Sequence, residues 1–289
     1  MRPFEYIGCD SVEAVCTALQ TYQGDARILA GGTDLLLELR RSGTSSPGAI
    51  IDISRIASLR GIWLREGEMR IGALTTHTEL SRSDVVRSRA GFLATAAGAI
   101  GSPQIRNRGT IGGNIMNAAT CADTVPPLVA LGARLILRSV QADRAVDIDG
   151  FFEKPYKPLA QENEVLTSIS FPPVPANART AFVKLGRRNA LAIARLSVAA
   201  MVTRNAQGVI TDARIVPGAA LPVWKRITGA ETMMIGAKPS ASLFAAVGRK
   251  ASETMIDMTG RRWSTEYKEP VLAVLVRRAL EICCPDGSR

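Results

Sequence analysis

"RNRGTIGGNIMNAATCADTVPP", residues 106–127, holds two adjacent glycines, three asparagines, a run of small residues and a single acid. Ordinary strands and helices are built of larger side chains, so this stretch makes room for something. Gly112 and Gly113 let backbone N–H groups converge with no Cβ in the way. Thr110 and Asn114 flank them with donors and acceptors, and "TVPPLVALG" (124–132) opens a helix with Thr124 as N-cap and prolines in its first turn. A second glycine pair stands earlier, in "LAGGTDLL" (29–36), between an apolar strand and a helical run. Free N–H groups at the start of a helix suit a pyrophosphate. Either pair alone reads equally well as a tight turn. Together, on separate subdomains, they suggest two walls closing on one phosphate-bearing cofactor.

Working outward, the N-terminal side alternates in α/β fashion. Asp10 and Glu13 form a capping pair, Val12, Val15, Cys16 and Leu19 recur at helical spacing, and "ARILA" (26–30) and "AIIDI" (49–53) are buried strands on either side of a helix at 35–41 and a loop, "GTSSP" (43–47). This pattern predicts a small parallel sheet. From about residue 58 it becomes α+β: two strands around a "REGE" turn, a short helix in "THTELSRS", a helix over 90–101, and strands at 133–139 and 164–171. "PPVPANA" (172–178) is the linker. Beyond it lie three strands with a "NAQG" turn (205–208), then helices over about 240–256 and 264–284. The expected domains are therefore 1–175, with subdomains of about 1–55 and 56–175, and 176–289.

Bulk properties remove several functions. The 289 residues suit two or three subdomains, and no apolar run reaches the roughly 18 residues of a membrane span. The N-terminus lacks a signal-peptide core, so a cytoplasmic location is expected. The five cysteines form no CxxC pair and His77 is the sole histidine, which argues against a zinc or four-cysteine cluster site in this chain. The formal charge of +10 is dispersed and aromatics are only 5%, so an acidic protein partner or a phosphate-bearing ligand fits better than nucleic acid. No catalytic triad is present, and His77 reads as part of the "TTHTEL" turn.

"LAGGTDLL", "GSPQIRNRGTIGGNIMNAATCADTVPPLVALGARL", "VLTSISFPP", "FVKLGRRNALAIARLSVAA" (182–200) and "WSTEYKEPVLAVLVRRAL" (263–280) stand in the order and spacing of one family. They strongly resemble the FAD-binding (medium) subunit of the molybdenum hydroxylases, the xanthine dehydrogenase family. The resemblance implies an α+β fold of the p-cresol methylhydroxylase/vanillyl-alcohol oxidase type: two N-terminal α/β subdomains, plus a C-terminal three-stranded sheet with helices covering the flavin. It implies that backbone groups of Ala30, Gly31, Gly32, Thr33 and Asp34, and of Thr110, Ile111, Gly112, Gly113 and Asn114, hold the FAD pyrophosphate. Asp123 would accept from FAD hydroxyls, Met116 and Ile100 would lie near the ring, Leu166 would pack on the adenine, and Lys184 would stand near the pyrimidine end. Ile100 replaces an aromatic of mammalian members, and Ala192 replaces a frequent acid.

The same resemblance implies an oxidoreductase subunit that takes electrons from two 2Fe–2S clusters on a small subunit and passes them to NAD or another acceptor. A large subunit would carry the molybdenum cofactor, the whole forming a dimer of heterotrimers. Two alternatives remain open at this stage: a stand-alone flavin oxidoreductase of the same fold, and a non-redox nucleotide-binding assembly subunit.

Overall fold

A computed structural model describes residues 3–41, 46–188 and 191–285. The first unit contains β1 (Glu5–Gly8), α1 (Val12–Tyr22), β2 (Ala26–Leu29), α2 (Leu35–Arg40) and β3 (Ala49–Asp52). Its sheet runs β1-β3-β2 with every pairing parallel. Strands β2 and β3 read as apolar runs because one face packs on α1 through Val12, Val15, Cys16 and Leu19. The exposed strand β1 carries no such run, and the sequence pattern misses it. Helix α1 is capped by Ser11, whose hydroxyl accepts from Ala14 N–H, and not by Asp10. Residues 43–45 of the expected "GTSSP" loop lie outside the described residues.

The second unit is larger. Strands β4 (Ile62–Arg65) and β5 (Glu68–Gly72) form the hairpin around residues 65–68. Six helices follow: α3 (His77–Arg82), α4 (Asp84–Arg89), α5 (Gly91–Gly98), α6 (Pro103–Arg108), α7 (Ile111–Asn117) and α8 (Val125–Leu131). Then come β6 (Arg134–Arg138), β7 (Asp143–Asp147), the small hairpin β8 (Phe152–Lys154) and β9 (Lys157–Pro158), and β10 (Val165–Phe171). The five-stranded sheet is antiparallel, in the order β4-β5-β10-β6-β7. The helix expected over 90–101 is α5, which stops at Gly98; the chain turns at Gly101, and a further helix, α6, starts with Ser102 as N-cap and Pro103 in its first turn. The glycine-rich stretch is itself helical. Thr110 caps α7, its hydroxyl accepting from Gly113 N–H, so both glycines fall in the first turn.

The linker expected at 172–178 is pinned where Val174 N–H bonds the Arg89 carbonyl. Beyond it lie β11 (Ala178–Leu185), β12 (Leu196–Arg204) and β13 (Ile210–Gly218), an antiparallel meander, then α9 (Thr228–Thr232), α10 (Ala241–Thr259) and α11 (Thr265–Cys283). Asn205 closes the "NAQG" turn, its side chain accepting from Gln207 and Val209 N–H groups. One face of this sheet is covered by α10 and α11 through Phe244, Val247, Leu272, Leu275, Val276 and Leu280. The opposite face joins the central core through Ala199, Val216 and Phe182. Among the described residues no helix is long and apolar enough to cross a membrane.

Candidate functional site

The two glycine segments come together. An added Cβ on Gly31 would land on the Arg108 carbonyl oxygen, 2.7 Å from its carbon and 3.1 Å from the Gly109 Cα. Gly31 is therefore small so that the first unit can touch the backbone that leads into "TIGGN". Gly32 takes a φ of +73°, the left-handed turn into α2, and Asp34 sits at that helix's N-cap with no side-chain bond to the helix's own N–H groups. Although Asp34 as a residue is exposed, partial desolvation holds its carboxyl above the usual range, opposed by the Thr33 hydroxyl. Ala30, Gly31, Gly32 and Thr33 are all half-buried.

On the second wall, Gly112 is fully inside. A Cβ there would stand 2.7 Å from both Cβ and the carbonyl oxygen of Ala73, just past β5. Its smallness serves the seating of α7 on that strand end, reinforced by the bond from Gly112 N–H to the Ala73 carbonyl at 2.9 Å. The sequence argument had both glycines of this pair open to the ligand; for Gly112 the space is already taken by protein. Gly113 is freer, meeting only the Thr110 hydroxyl at 2.9 Å. Ile111 is a core residue and Thr110 is buried.

Helix α7 is tied to α8 by one polar contact. Thr124 Oγ1 donates to Asn114 Oδ1 at 2.7 Å, so Thr124 occupies the N-cap of α8 but spends its side chain elsewhere. Asp123, the residue before it, is 4% exposed. Its Oδ2 accepts from Lys184 Nζ at 2.6 Å, and the same ammonium donates to the Ala99 carbonyl at 2.9 Å. Lys184 thus bridges β11 of the third unit to two points of the second, and its side chain is only 13% exposed. The other oxygen, Asp123 Oδ1, is buried with no partner. Burial pushes the Asp123 pKa up to about 6, against the pull of Lys184. Burial also raises the Cys121 thiol. Asp123 and Asp34 raise it further and Lys184 opposes them, so the four groups share one neighbourhood.

The remaining expected residues fall around this point. Ile100 follows Ala99 and is half-buried, its carbonyl accepting from Arg106 Nη1 at 2.9 Å. Met116, on α7, packs on the central core. Leu166, on β10, is 3% exposed within that core, at a register shift between β10 and β6. Sequence reasoning gave His77 no place here, yet it lies beneath the same backbone. Its backbone N–H donates to the Gly109 carbonyl, the ring edge faces the open side of Gly109, Nδ1 is buried without a partner, and burial lowers the imidazole pKa to about 4.

A cofactor with hydroxyl donors fits these residues on structural grounds. A buried carboxylate oxygen with no donor is a standing cost of about 1–3 kcal/mol or more, and a ligand hydroxyl would remove it. Lys184 stands beside the same carboxylate, and the pair suits an anionic, hydroxyl-bearing ligand.

The comparisons agree. Residues 2–174 match the model described as "FAD binding domain in molybdopterin dehydrogenase", and residues 181–282 the "CO dehydrogenase flavoprotein C-terminal domain". The chain is 31% identical to the nicotinate dehydrogenase FAD-subunit of Eubacterium barkeri, covering 93% of this chain and 92% of that one. It is 33% identical to the xanthine dehydrogenase FAD-binding subunit of Escherichia coli O157:H7, over 88% and 87%. A solved carbon monoxide dehydrogenase from Hydrogenophaga pseudoflava superposes with a TM-score of 0.91 at 32% identity, covering 99% of this chain and 100% of that one. The chain belongs to the FAD-binding subunits of the molybdenum hydroxylases, a family of oxidoreductases.

Proposed function

We propose that this chain is the flavin relay of a heteromeric molybdenum hydroxylase, taking electrons from iron–sulfur clusters on a small partner subunit and delivering them to NAD or another acceptor. The observation that carries the site is Asp123 Oδ1, a buried acceptor without a donor, and the contact of Gly31 with the Arg108 and Gly109 backbone that leads into the second glycine pair supports it. Ala30 to Asp34 and Thr110 to Asn114 would hold the pyrophosphate, with Gly113 the open glycine of the second pair. Asp123 would accept a cofactor hydroxyl, and Met116, Ile100 and Leu166 would supply apolar contact. Lys184, fixed by Asp123 and the Ala99 carbonyl, would place its ammonium beside the ring. FAD supplies the redox chemistry when bound, and the chain supplies position, charge and exclusion of water.

The proposed partners are a large subunit with the molybdenum cofactor and a small subunit with two 2Fe–2S clusters, assembled as a dimer of heterotrimers; relatives that are medium chains of dehydrogenases support the partner subunits. The three larger sheets support domains of 1–175 and 176–289, and free thiols fit a reducing, cytoplasmic setting. The experiment is reconstitution with FAD, followed by anaerobic reduction of the assembled complex and reoxidation by NAD, oxygen or a quinone. We expect a yellow protein that bleaches on reduction and recovers with one acceptor. Asp123→Ala should weaken FAD retention by about tenfold or more. A chain that stays colourless with FAD sinks the proposal.

A further inference from the structure

A group of cations lies where the third sheet meets the start of α11. Arg195 N–H bonds the Leu185 carbonyl, which sets it beside the end of β11 that carries Lys184. Its guanidinium lies over the Tyr267 ring, 5.9 Å from the centroid. Lys268, the next residue of α11, donates to the Ala219 carbonyl at 2.7 Å, and Ala219 N–H bonds the Thr120 carbonyl at 3.1 Å. Arg262, before α11, donates Nε to the Thr259 carbonyl at 3.0 Å. The group is therefore linked, through Ala219, to Thr120, the residue before Cys121.

Among the described residues, none of these three cations has a carboxylate within ion-pair range. The nearest acids in sequence do not serve them: Glu269 pairs with Arg261 at 3.2 Å, and Glu266 faces solvent. The arrangement opposes itself. Lys268 is half-buried, and its pKa is lowered first by that burial and then by Arg195 and Arg262, so the three charges feel one another. Lys268 also stands in the first turn of α11, where the helix dipole disfavours a cation. Each of these costs would become a gain with an anion present. Arg195 has its fork of donors uncommitted, and Lys268 keeps two of three.

We propose that Arg195, Arg262 and Lys268 form a binding site for a phosphate-type oxyanion at the edge of the flavin slot. The oxyanion comes either from free phosphate or from the pyrophosphate of a dinucleotide acceptor. The position at a flavin slot rests on the function proposed above; the cation site stands on its own geometry.

Trp263 adjoins Arg262 and is 91% exposed, so it reports on the site. The FAD-loaded protein, in a buffer free of phosphate, is titrated with inorganic phosphate, pyrophosphate and NAD, with chloride at matched ionic strength as control. Tryptophan fluorescence and Tm are followed, and Trp263→Phe assigns the signal. The expected result is a saturable response weakened about tenfold or more by Arg195→Gln and by Lys268→Gln, with the visible flavin spectrum unchanged. Without anion, Lys268→Gln should leave Tm equal or higher, because a repulsive charge is gone. A response to pyrophosphate and NAD alone identifies a dinucleotide; an equal response to phosphate identifies the free ion. A response no larger than chloride gives, or one unaltered in both variants, overturns the site. Protein that retains no FAD but still loses pyrophosphate binding in the variants keeps this site and rejects the flavin assignment.

Discussion

A Cβ on Gly31 would strike the Arg108 backbone, whereas a Cβ on Gly113 would meet only the Thr110 hydroxyl, at 2.9 Å. The two glycine pairs are the same dipeptide in sequence, but their jobs differ. Gly31 fastens one unit to the other by backbone contact. Gly112 seats a helix on Ala73, and Gly113 alone is small with little inside the protein to demand it. A glycine pair is thus no single device: one member can serve the fold while its neighbour is left free for a ligand.

The largest effect should come from Gly31→Ala. No rotamer relieves a backbone collision, so the first unit must draw away from residues 108–109. Overpacking of this kind costs about 1–3 kcal/mol and more where backbone is struck. We expect a clear fall in Tm together with loss of FAD. An alanine variant with wild-type Tm would break the comparison, because Gly31 would not be fastening anything.

Gly112→Ala comes next. Its Cβ meets Ala73 at 2.7 Å, one side-chain atom and one backbone oxygen, and the short α7 can tilt to relieve part of it. A cost of about 2 kcal/mol is expected, and the double variant Gly112→Ala with Ala73→Gly should recover some of it. If Ala73→Gly rescues nothing, the contact is not what keeps residue 112 small.

A pH titration sharpens the contrast from another side, since the buried ionisable groups Asp123 and His77 both belong to the second wall. The Asp123 pKa is raised to about 6, so its contribution to stability is full below its ordinary value and is lost as pH rises through 6. The His77 pKa is lowered to about 4, so its contribution is full above about 6.5 and is lost as pH falls through 4. The two slopes oppose each other in FAD-free protein. His77→Gln should expose a loss on going from pH 4 to 6, and Asp123→Asn a loss in the reverse direction, each on the order of 2 kcal/mol. FAD should flatten the slope seen in His77→Gln, because a hydroxyl donated to Oδ1 favours the ionised carboxylate. Identical pH profiles in both variants and wild type would show that neither group titrates as the burial implies.

These contrasts also mark what the sequence could disclose. The three units, the helices over Val12–Tyr22, Ala241–Thr259 and Thr265–Cys283, and the parallel first sheet were legible because each buries an apolar face with its own period. Strand β1 was not, since it is exposed and carries no alternating pattern. The caps shifted because Asp10 and Ser11 are both good cap residues, and only backbone geometry chooses between them. At the site, small residues announced a slot. The pairing of Asp123 with Lys184, 61 positions apart, and the burial of His77 behind Gly109 left no mark in spacing or composition.

The smallest stability effect belongs to Gly113→Ala, and it is the sharpest test of the comparison. The new methyl would crowd the Thr110 hydroxyl and weaken the cap of α7, a loss of about 1 kcal/mol. Replacing glycine by alanine inside a helix returns about the same amount. Tm should therefore stay within about a degree or two of wild type. The methyl would project beside the backbone amides proposed to hold the pyrophosphate, so FAD affinity should fall about tenfold while the fold is intact. Equal falls in Tm and FAD retention would make Gly113 a packing glycine like Gly112. Unchanged FAD affinity at unchanged Tm would remove the second pair from the cofactor's reach and leave Asp123 and the first pair to hold it.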